Sequence, residues 1–151
     1  MLFRSAVAVK ALLPGTRVIG VEPELAADAR DSLRAGTRVA WTSAQTSRTR
    51  ADALRVEQVG ELTFPHIQAY VDDIVTVSED EMLDAIRRLA RQARLVAEPG
   101  GAAAVAAALN RDAAELGIAS GTGAPVVAVL SGGNIDPTLL ADILGTESYT
   151  R

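Results

Sequence analysis

Short runs of β-branched residues alternate along the chain with longer segments of helical periodicity. Three such runs are predicted to be buried strands, at residues 17–21 (RVIGV), 74–77 (IVTV) and 126–130 (VVAVL). Helical spacing or composition predicts the intervening helices, at residues 5–13, 24–33, 79–93, 102–109 and 137–144. Residues 37–52 have weak periodicity and many Ser, Thr and Arg residues, and we expect a mostly irregular connection there. The alternation predicts an α/β layer structure with a mostly parallel sheet.

Local signals mark where several of these helices begin and end. Gly36 is placed to close the second helix. Ser78 and Glu81 have the spacing of a capping box, in which each side chain bonds the other's backbone N–H. Asp136 before Pro137 is typical of a helix start, with Pro at the first helical position. These capping signals therefore support the predicted helices independently of the periodicity.

Composition narrows the class of protein. With 151 residues, 48% hydrophobic and 23% charged, the chain has the make-up of one soluble globular domain. A formal net charge of −4 argues against a nucleic-acid partner, and the absence of cysteine excludes disulfides and thiolate chemistry. The longest apolar stretch, residues 100–109, is too short to span a bilayer, and no signal peptide is visible. We therefore expect a cytoplasmic protein with no membrane partner.

A serine and two glycines follow directly after the third predicted strand, in residues 131–134 (SGGN). Ligands collect at the carboxyl ends of strands in open α/β sheets, and glycines let the backbone approach a ligand closely. An ordinary tight turn uses the same residues. From the residues alone, both interpretations stay open.

Acidic side chains give two further candidates. Glu22 and Asp28, with the carbonyl of Ala26, would supply the hard oxygen ligands that suit Mg²⁺ or Ca²⁺, although acids also favour first helical turns for electrostatic reasons. Glu98 precedes two glycines and a helix, where it is either functional or only a cap. The single histidine, His66, has no Ser or Cys partner at a recognisable spacing, which favours a structural or surface position.

Taken in order, five segments resemble the fold-type II pyridoxal-phosphate (PLP) enzymes of the threonine dehydratase and serine racemase family. They are residues 18–23 (VIGVEP), 60–64 (GELTF), 71–79 (VDDIVTVSE), 98–103 (EPGGAA) and 129–136 (VLSGGNID). The resemblance runs from about residue 6 to about residue 140. It implies part of the three-layer, mostly parallel large domain of these enzymes, and pyridoxal 5'-phosphate as the cofactor.

The resemblance also implies roles for individual residues. Ser131 would hydrogen-bond the pyridine nitrogen of PLP, Glu98 would lie beside the cofactor, and Ala53 would face it. Ala53 stands where the family usually has glycine, so its methyl group is expected to crowd the cofactor, and Gly100 replaces a serine of the family motif. A divalent cation, Mg²⁺ or Ca²⁺, would be held by Glu22, Ala26 and Asp28, which supports the metal interpretation.

Two parts of the family pattern have no counterpart in this sequence. The family's Schiff-base lysine and glycine-rich phosphate loop precede the helix that begins near Ser5, and the sole lysine, Lys10, matches no catalytic position. Residues 1–151 are therefore expected to form one partial catalytic domain, without a regulatory domain and inactive alone. The opening MLFRS is also encoded by ATGCTCTTCCGATCT, close to a sequencing-adapter end, which suggests an assembly artefact.

For the complete protein, the resemblance implies a dehydratase that converts L-threonine or L-serine to 2-oxobutanoate or pyruvate plus ammonia, working as a homo-oligomer. Two alternatives stay open. One is a serine racemase on the same scaffold. The other is a non-catalytic paralogue that serves as a binding or interaction module.

Overall fold

Two parallel strands form the sheet of this structure, a computed structural model that describes residues 2–117, 123 and 125–145. Strand β1 (Ile19–Pro23) pairs along its whole length with β2 (Asp73–Val77), and the last residues of the two strands are partners. Both strands are rich in β-branched residues, which suit a pleated, buried surface. The connection between them is helical, as is usual between parallel strands.

Seven α-helices surround the sheet within the described residues. They are α1 (Leu2–Leu12), α2 (Asp28–Ala35), α3 (Ser43–Thr46), α4 (Phe64–Tyr70), α5 (Glu79–Arg88), α6 (Pro99–Asn110) and α7 (Pro137–Gly145). A 3-10 turn, Asp52–Leu54, lies between α3 and α4, and α5 continues into a π-helical turn, Leu89–Ala93. At the end of α2, Gly36 adopts φ +68° and donates its N–H to the carbonyl of Leu33, as its predicted closing role requires.

Hydrophobic side chains bury both faces of the sheet. Ile74 packs with α1, α2 and α4, in a cluster that includes Phe64 and Ile67. Val77, on the other face, packs with the buried residues of α5 and α6, chiefly Met82, Ala85, Ile86, Ala102, Ala103 and Ala106. The small side chains of α6 let this helix approach α5 and the sheet closely. Helices therefore cover a parallel sheet on two sides, and the predicted α/β fold is confirmed.

The capping box predicted at the start of α5 is present. Glu81 N–H donates to the Ser78 hydroxyl at 3.2 Å, and Ser78 N–H donates to the Glu81 carboxylate at 2.7 Å. Arg111, which follows α6, donates to both Glu81 oxygens and to the carbonyl of Thr76. The bonds from Arg111, with those of Ser78, hold the pKa of Glu81 below its usual value against the opposing effect of desolvation. Glu81 and Arg111 together thus join α5, the end of α6 and the end of β2.

Removing this cap gives a modest stability prediction. Ser78→Ala is expected to lower the free energy of unfolding by about 1 kcal/mol, because the Glu81 N–H loses its acceptor. Urea denaturation followed by circular dichroism measures the change. Thr63 precedes α4 without a side-chain cap, so Thr63→Ala is the matched control and should cost less. Equal losses in the two variants would contradict the importance of the Ser78 cap.

Several predictions from the sequence were wrong in detail. Residues 126–130 are not a strand, and Val127 is 82% exposed, because no described strand lies alongside to accept their backbone bonds. Helix α2 begins at Asp28 instead of residue 24, since the N–H of Glu24 bonds the carbonyl of Val77 and extends the chain. The connection at residues 37–52 contains the short helix α3, and α4 was not predicted at all.

In the part of the chain that the structure describes, none of the helices combines the length and the apolar character that crossing a bilayer demands.

Candidate functional site

The loop of residues 131–134 lies against the start of α6. Asn134 N–H donates to the Glu98 carboxylate at 2.9 Å, and Glu98 N–H donates to the carbonyl of Gly132 at 3.2 Å. Ser131 N–H donates to the carbonyl of Gly101 at 3.2 Å. Two motifs that are far apart along the chain are therefore joined by three hydrogen bonds.

Glycine is required at two positions of this junction. An added Cβ at Gly101 would lie 1.8 Å from the carbonyl oxygen of Ser131, which no side chain permits. Gly132 has φ +83°, and a Cβ there would lie 2.5 Å from Glu98 Oε1. Left-handed backbone and close approach both select glycine. The two glycines thus allow the loop and the helix to touch through their backbones.

The 3-10 turn brings a third segment to the same place. A Cβ added at Gly100 would lie 3.4 Å from Leu54 Cγ, at ordinary packing distance. Ala51, just before the turn, is completely buried in one cluster with Ala97 and with Val77, the last residue of β2. We call the 3-10 turn, residues 98–101 and residues 131–134 the three-segment site. It lies at the carboxyl end of β2, where ligands bind in open α/β sheets.

The backbone of this chain accommodates both residues that depart from the family pattern, Ala53 and Gly100. Ala53 is exposed and lies outside the left-handed region, so its backbone does not call for glycine. Its N–H donates to the Asp52 carboxylate at 2.8 Å. At Gly100, a serine Cβ would make ordinary contacts with Leu54 and Ala51. Steric crowding therefore does not explain why this chain has glycine at position 100, where the family has serine.

The donors at the three-segment site suit a flat, polar cofactor. Ser131 is half-buried and offers a neutral hydroxyl, and its backbone is fixed by the bond to Gly101. The neighbouring glycines Gly132 and Gly133 present backbone without side chains, which allows a ring to approach. These features fit the pyridine end of PLP.

Lys10 lies at the opposite end of the sheet. Its Nζ is 2.7 Å from Asp72 Oδ2, and Asp72 also accepts the N–H of Val18, so the ion pair sits where both strands begin. Burial acts to raise the pKa of Asp72, but these bonds outweigh it and the pKa is lowered. The expectation that Lys10 matches no catalytic position stays a prediction.

Glu22 and Asp28 lie beside the start of α2. The two Glu22 oxygens accept the N–H groups of Ala29 at 3.2 Å and Arg30 at 2.8 Å, so Glu22 caps α2 from the strand. Asp28 is 3% exposed, and Ala26 is also buried. Across residues 2–117, 123 and 125–145 no three His, Cys, Asp or Glu side chains gather into a metal-binding group. The predicted cation site uses two carboxylates and a carbonyl, and it stays a prediction.

Burial raises the pKa values of both Glu22 and Asp28. Desolvation raises the pKa of Glu22 to about 7, and the charge of Asp28 adds to this, while the N–H groups of Arg30 and Ala29 act against it. Desolvation likewise raises the pKa of Asp28 to about 6, against hydrogen bonds from backbone groups that include Val59. Two acids that are costly to ionise therefore lie near each other beside the start of α2.

His66 is exposed on α4, as the sequence favoured. Its ring lies between Phe3 and Tyr70, with centroid distances of 5.9 and 6.4 Å, and Nδ1 is 3.0 Å from the carbonyl of Leu62. None of these contacts involves the three-segment site.

Comparison with known proteins gives the family. Residues 5–132 match the family described as "Pyridoxal-phosphate dependent enzyme". This match covers most of the chain and the whole three-segment site except residues 133 and 134. The chain belongs to the pyridoxal-phosphate dependent enzyme family. The resemblance inferred from the sequence motifs is thereby confirmed.

Several relatives of this chain are named as enzymes of threonine or serine. The chain is 39% identical over 139 residues to the L-threonine ammonia-lyase of Thermotoga maritima, covering 92% of this chain and 32% of that protein. It is 38% identical over 108 residues to the serine racemase of Schizosaccharomyces pombe, covering 72% and 32%. The solved structure of threonine deaminase isoform 2 from Solanum lycopersicum superposes with a TM-score of 0.79 at 33% identity, over 94% of this chain and 37% of that one.

The chain spans about a third of the length of these two curated relatives. What it shares with them is consequently one portion of the family's structure. Activity, substrate and partners of a whole protein are taken up below as proposals.

Sequence reasoning missed one set of contacts next to the site. Glu79, the first residue of α5, accepts the Thr49 hydroxyl at 2.5 Å and the Arg50 N–H at 2.7 Å. The partners are 30 and 29 residues apart, so no local spacing indicates them. Only the packing of α5 beside the 3-10 turn brings them together.

Proposed function

We propose that this chain is the C-terminal part of the catalytic domain of a PLP-dependent ammonia-lyase. In the complete protein the substrate is L-threonine or L-serine, and the products are 2-oxobutanoate or pyruvate with ammonia. The observation that carries this proposal is the convergence of the 3-10 turn, residues 98–101 and residues 131–134 at the carboxyl end of β2. Relatives named as L-threonine ammonia-lyases support the substrate class.

Each segment of the site has its own role in this proposal. When bound, PLP supplies the electron sink that lets an amino acid lose its α-proton and β-hydroxyl. The Ser131 hydroxyl would donate to the ring nitrogen, and as a neutral partner it would leave that nitrogen largely unprotonated. Glu98 lies beside the cofactor and holds the Ser131 loop through the Asn134 N–H. Ala53 lines the site from the 3-10 turn.

A divalent cation, Mg²⁺ or Ca²⁺, forms the second part of the proposal. Glu22 and Asp28 supply carboxylates and Ala26 supplies its carbonyl, with water completing the oxygen ligands that these ions prefer. The proximity of the buried Asp28 to the half-buried Glu22 supports this assignment. Both Glu22 oxygens retain lone pairs after accepting the α2 N–H groups.

A chimera tests the catalytic proposal. The upstream portion of the Thermotoga maritima relative is joined ahead of Ser5, so that it supplies the segments that precede this helix in the family. PLP binding and release of 2-oxo acid from L-threonine and L-serine are then measured, with the 151-residue chain alone as the control. We expect turnover in the chimera and none in the chain alone. A folded chimera that binds PLP but releases no 2-oxo acid would contradict the ammonia-lyase assignment.

Ser131→Ala in that chimera is expected to keep PLP bound while turnover falls. One hydrogen bond between neutral groups is worth about 0.5–1.5 kcal/mol, which corresponds to roughly a twofold to tenfold loss of rate. The ratio of kcat values at saturating PLP measures this loss. Ser131→Thr, which keeps the hydroxyl, is the matched control. Unchanged turnover in Ser131→Ala would refute the role given to this hydroxyl.

Serine racemization is the second candidate, because the serine racemase of Schizosaccharomyces pombe is 38% identical to this chain. Chiral chromatography of the chimera's products from L-serine separates the two activities. Accumulation of D-serine in excess of pyruvate would favour the racemase.

A further inference from the structure

A network of hydrogen bonds fixes residues 49–55, which we call the 49–55 turn and which contain the 3-10 turn of the three-segment site. Thr49 is completely buried, and its hydroxyl donates to Glu79 Oε1 at 2.5 Å while accepting the Ala51 N–H at 3.2 Å. The Thr49 carbonyl accepts two bonds from the Arg55 guanidinium, at 2.9 and 2.7 Å. The turn is thereby closed from one end to the other.

Glu79 anchors this turn to the rest of the domain. Its Oε2 accepts the Arg50 N–H at 2.7 Å, so both carboxylate oxygens bind the 49–55 turn. An acid in the first turn of a helix is stabilised by the helix dipole alone. Asp80, the next residue, is exposed in the same first turn and makes no such contact with the turn. Glu79 therefore accepts two hydrogen bonds that a position in the first turn of a helix does not by itself explain.

The position of the 49–55 turn determines one wall of the site. Leu54, within the turn, packs against Gly100 at the start of α6. Ala53 lies between the two anchored ends of the turn, and its own side chain is exposed. Helix α5 starts immediately after β2, so Glu79 lies close to the end of this strand. The hydrogen bonds of Glu79 therefore fix the turn relative to the strand end.

We propose that Glu79 is a positioning residue for the cofactor site, and that it acts by holding the 49–55 turn through Thr49 and the Arg50 N–H. This inference rests on the proposed function, which makes the turn a wall of the PLP site. Glu79 touches neither cofactor nor substrate in this proposal.

Amide hydrogen exchange of the 151-residue chain, followed residue by residue by NMR, tests the holding role. In Glu79→Met a side chain of similar size carries no oxygen, so the Thr49 hydroxyl and the Arg50 N–H both lose their acceptor. We expect the Arg50 N–H to exchange roughly tenfold faster or more, because its protection comes from that single bond. Asp80→Asn removes the same charge from the same helix turn and should leave the Arg50 rate as in the wild type.

A second pair of variants decides the result if Glu79→Met does not fold. Thr49→Val keeps the buried shape but removes both the donor to Glu79 and the acceptor of the Ala51 N–H, which should then exchange roughly tenfold faster. Thr49→Ser restores the hydroxyl and should restore protection. Wild-type exchange at Arg50 in Glu79→Met, or at Ala51 in Thr49→Val, would overturn the proposal. Equal acceleration in Asp80→Asn would overturn it too.

Equilibrium dialysis against pyridoxal 5'-phosphate separates this inference from the proposed function, with the same variants made in the chimera described above and the unsubstituted chimera as the wild type. If the wild type and Asp80→Asn bind PLP, Glu79→Met should bind it several-fold more weakly, and equal affinity would overturn the link between the turn and the site. Absence of binding in the wild type would count against the proposed function. The exchange rates would still decide whether Glu79 holds the turn.

Discussion

Gly101→Ala is expected to destabilise the chain by about 3 kcal/mol or more, an overpacking cost at the upper end of the usual range. The new methyl carbon would lie 1.8 Å from the Ser131 carbonyl oxygen and close to the Gly132 carbonyl. Neither partner is the movable end of a side chain, so the loop or the helix has to shift as a whole. The hydrogen bond from Ser131 N–H to Gly101 should be lost with it. Urea denaturation measures the change in the free energy of unfolding.

Gly100→Ala is the matched control one residue earlier. Its methyl group would meet Leu54 at 3.4 Å and Ala51 at 3.9 Å, which is ordinary contact. Because alanine loses less backbone entropy than glycine in a helix, this variant should be more stable by up to about 1 kcal/mol. Opposite signs for two adjacent Gly→Ala changes would arise only from the backbone contact with residues 131–132. Similar effects in both variants would contradict that contact.

The helix caps and the strand that were predicted correctly from the sequence depend mainly on neighbouring residues. The capping box at Ser78 and Glu81, the cap at Asp136 and the closure at Gly36 are all present in the structure. The strand at residues 74–77 is also confirmed, within β2. Each of these features is determined by contacts within a few residues or by a buried β-branched run. Helix α3 had a similar signal, since Thr42 and Gln45 form a capping box that was overlooked.

Features that depend on partners far along the chain were not predictable in the same way. Residues 126–130 have the composition of a strand, but a strand also needs a neighbour, and composition does not supply one. The Glu98 bond to Asn134 spans 36 residues, and the Glu79 bond to Thr49 spans 30. The family resemblance indicated Glu98 and Ser131 for the site. It included Glu79 in a matching segment but gave this residue no role, and the contacts of Glu79 follow from tertiary packing.

Stability is expected to fall as the pH rises from about 4 to about 7. The pKa values of Glu22 and Asp28 are raised from 4.5 to about 7 and from 3.8 to about 6, so the folded state favours their protonated forms. A raised pKa contributes stability that is complete below the unfolded value and is lost as the pH passes the folded value. Asp72 and Glu81 have lowered pKa values and act in the opposite direction, below about pH 4. Maximum stability should therefore lie near about pH 4–5.

The variants Glu22→Gln and Asp28→Asn isolate this effect. Each removes one acid whose ionisation opposes folding, so the loss of stability between about pH 4 and pH 7, on the order of a few kcal/mol, should shrink in each single variant. Asp52→Asn is the control, because Asp52 is exposed and lies on the 3-10 turn. Chemical denaturation at several pH values gives the curves. An unchanged pH profile in both single variants would contradict the assignment to these two acids.

A bound cation should reverse the fall in stability, because Mg²⁺ or Ca²⁺ favours the ionised carboxylates that burial disfavours. At about a hundred times its Kd, a cation that binds only the folded chain adds about 2.7 kcal/mol. We expect this stabilisation at about pH 7.5, where both acids are mostly ionised, and little of it at about pH 4.5, where protons occupy the same oxygens. Glu22→Gln should lose the cation effect at the higher pH while Asp52→Asn retains it. Equal stabilisation of all variants at both pH values would place the cation elsewhere and would leave Glu22 as a cap of α2 alone.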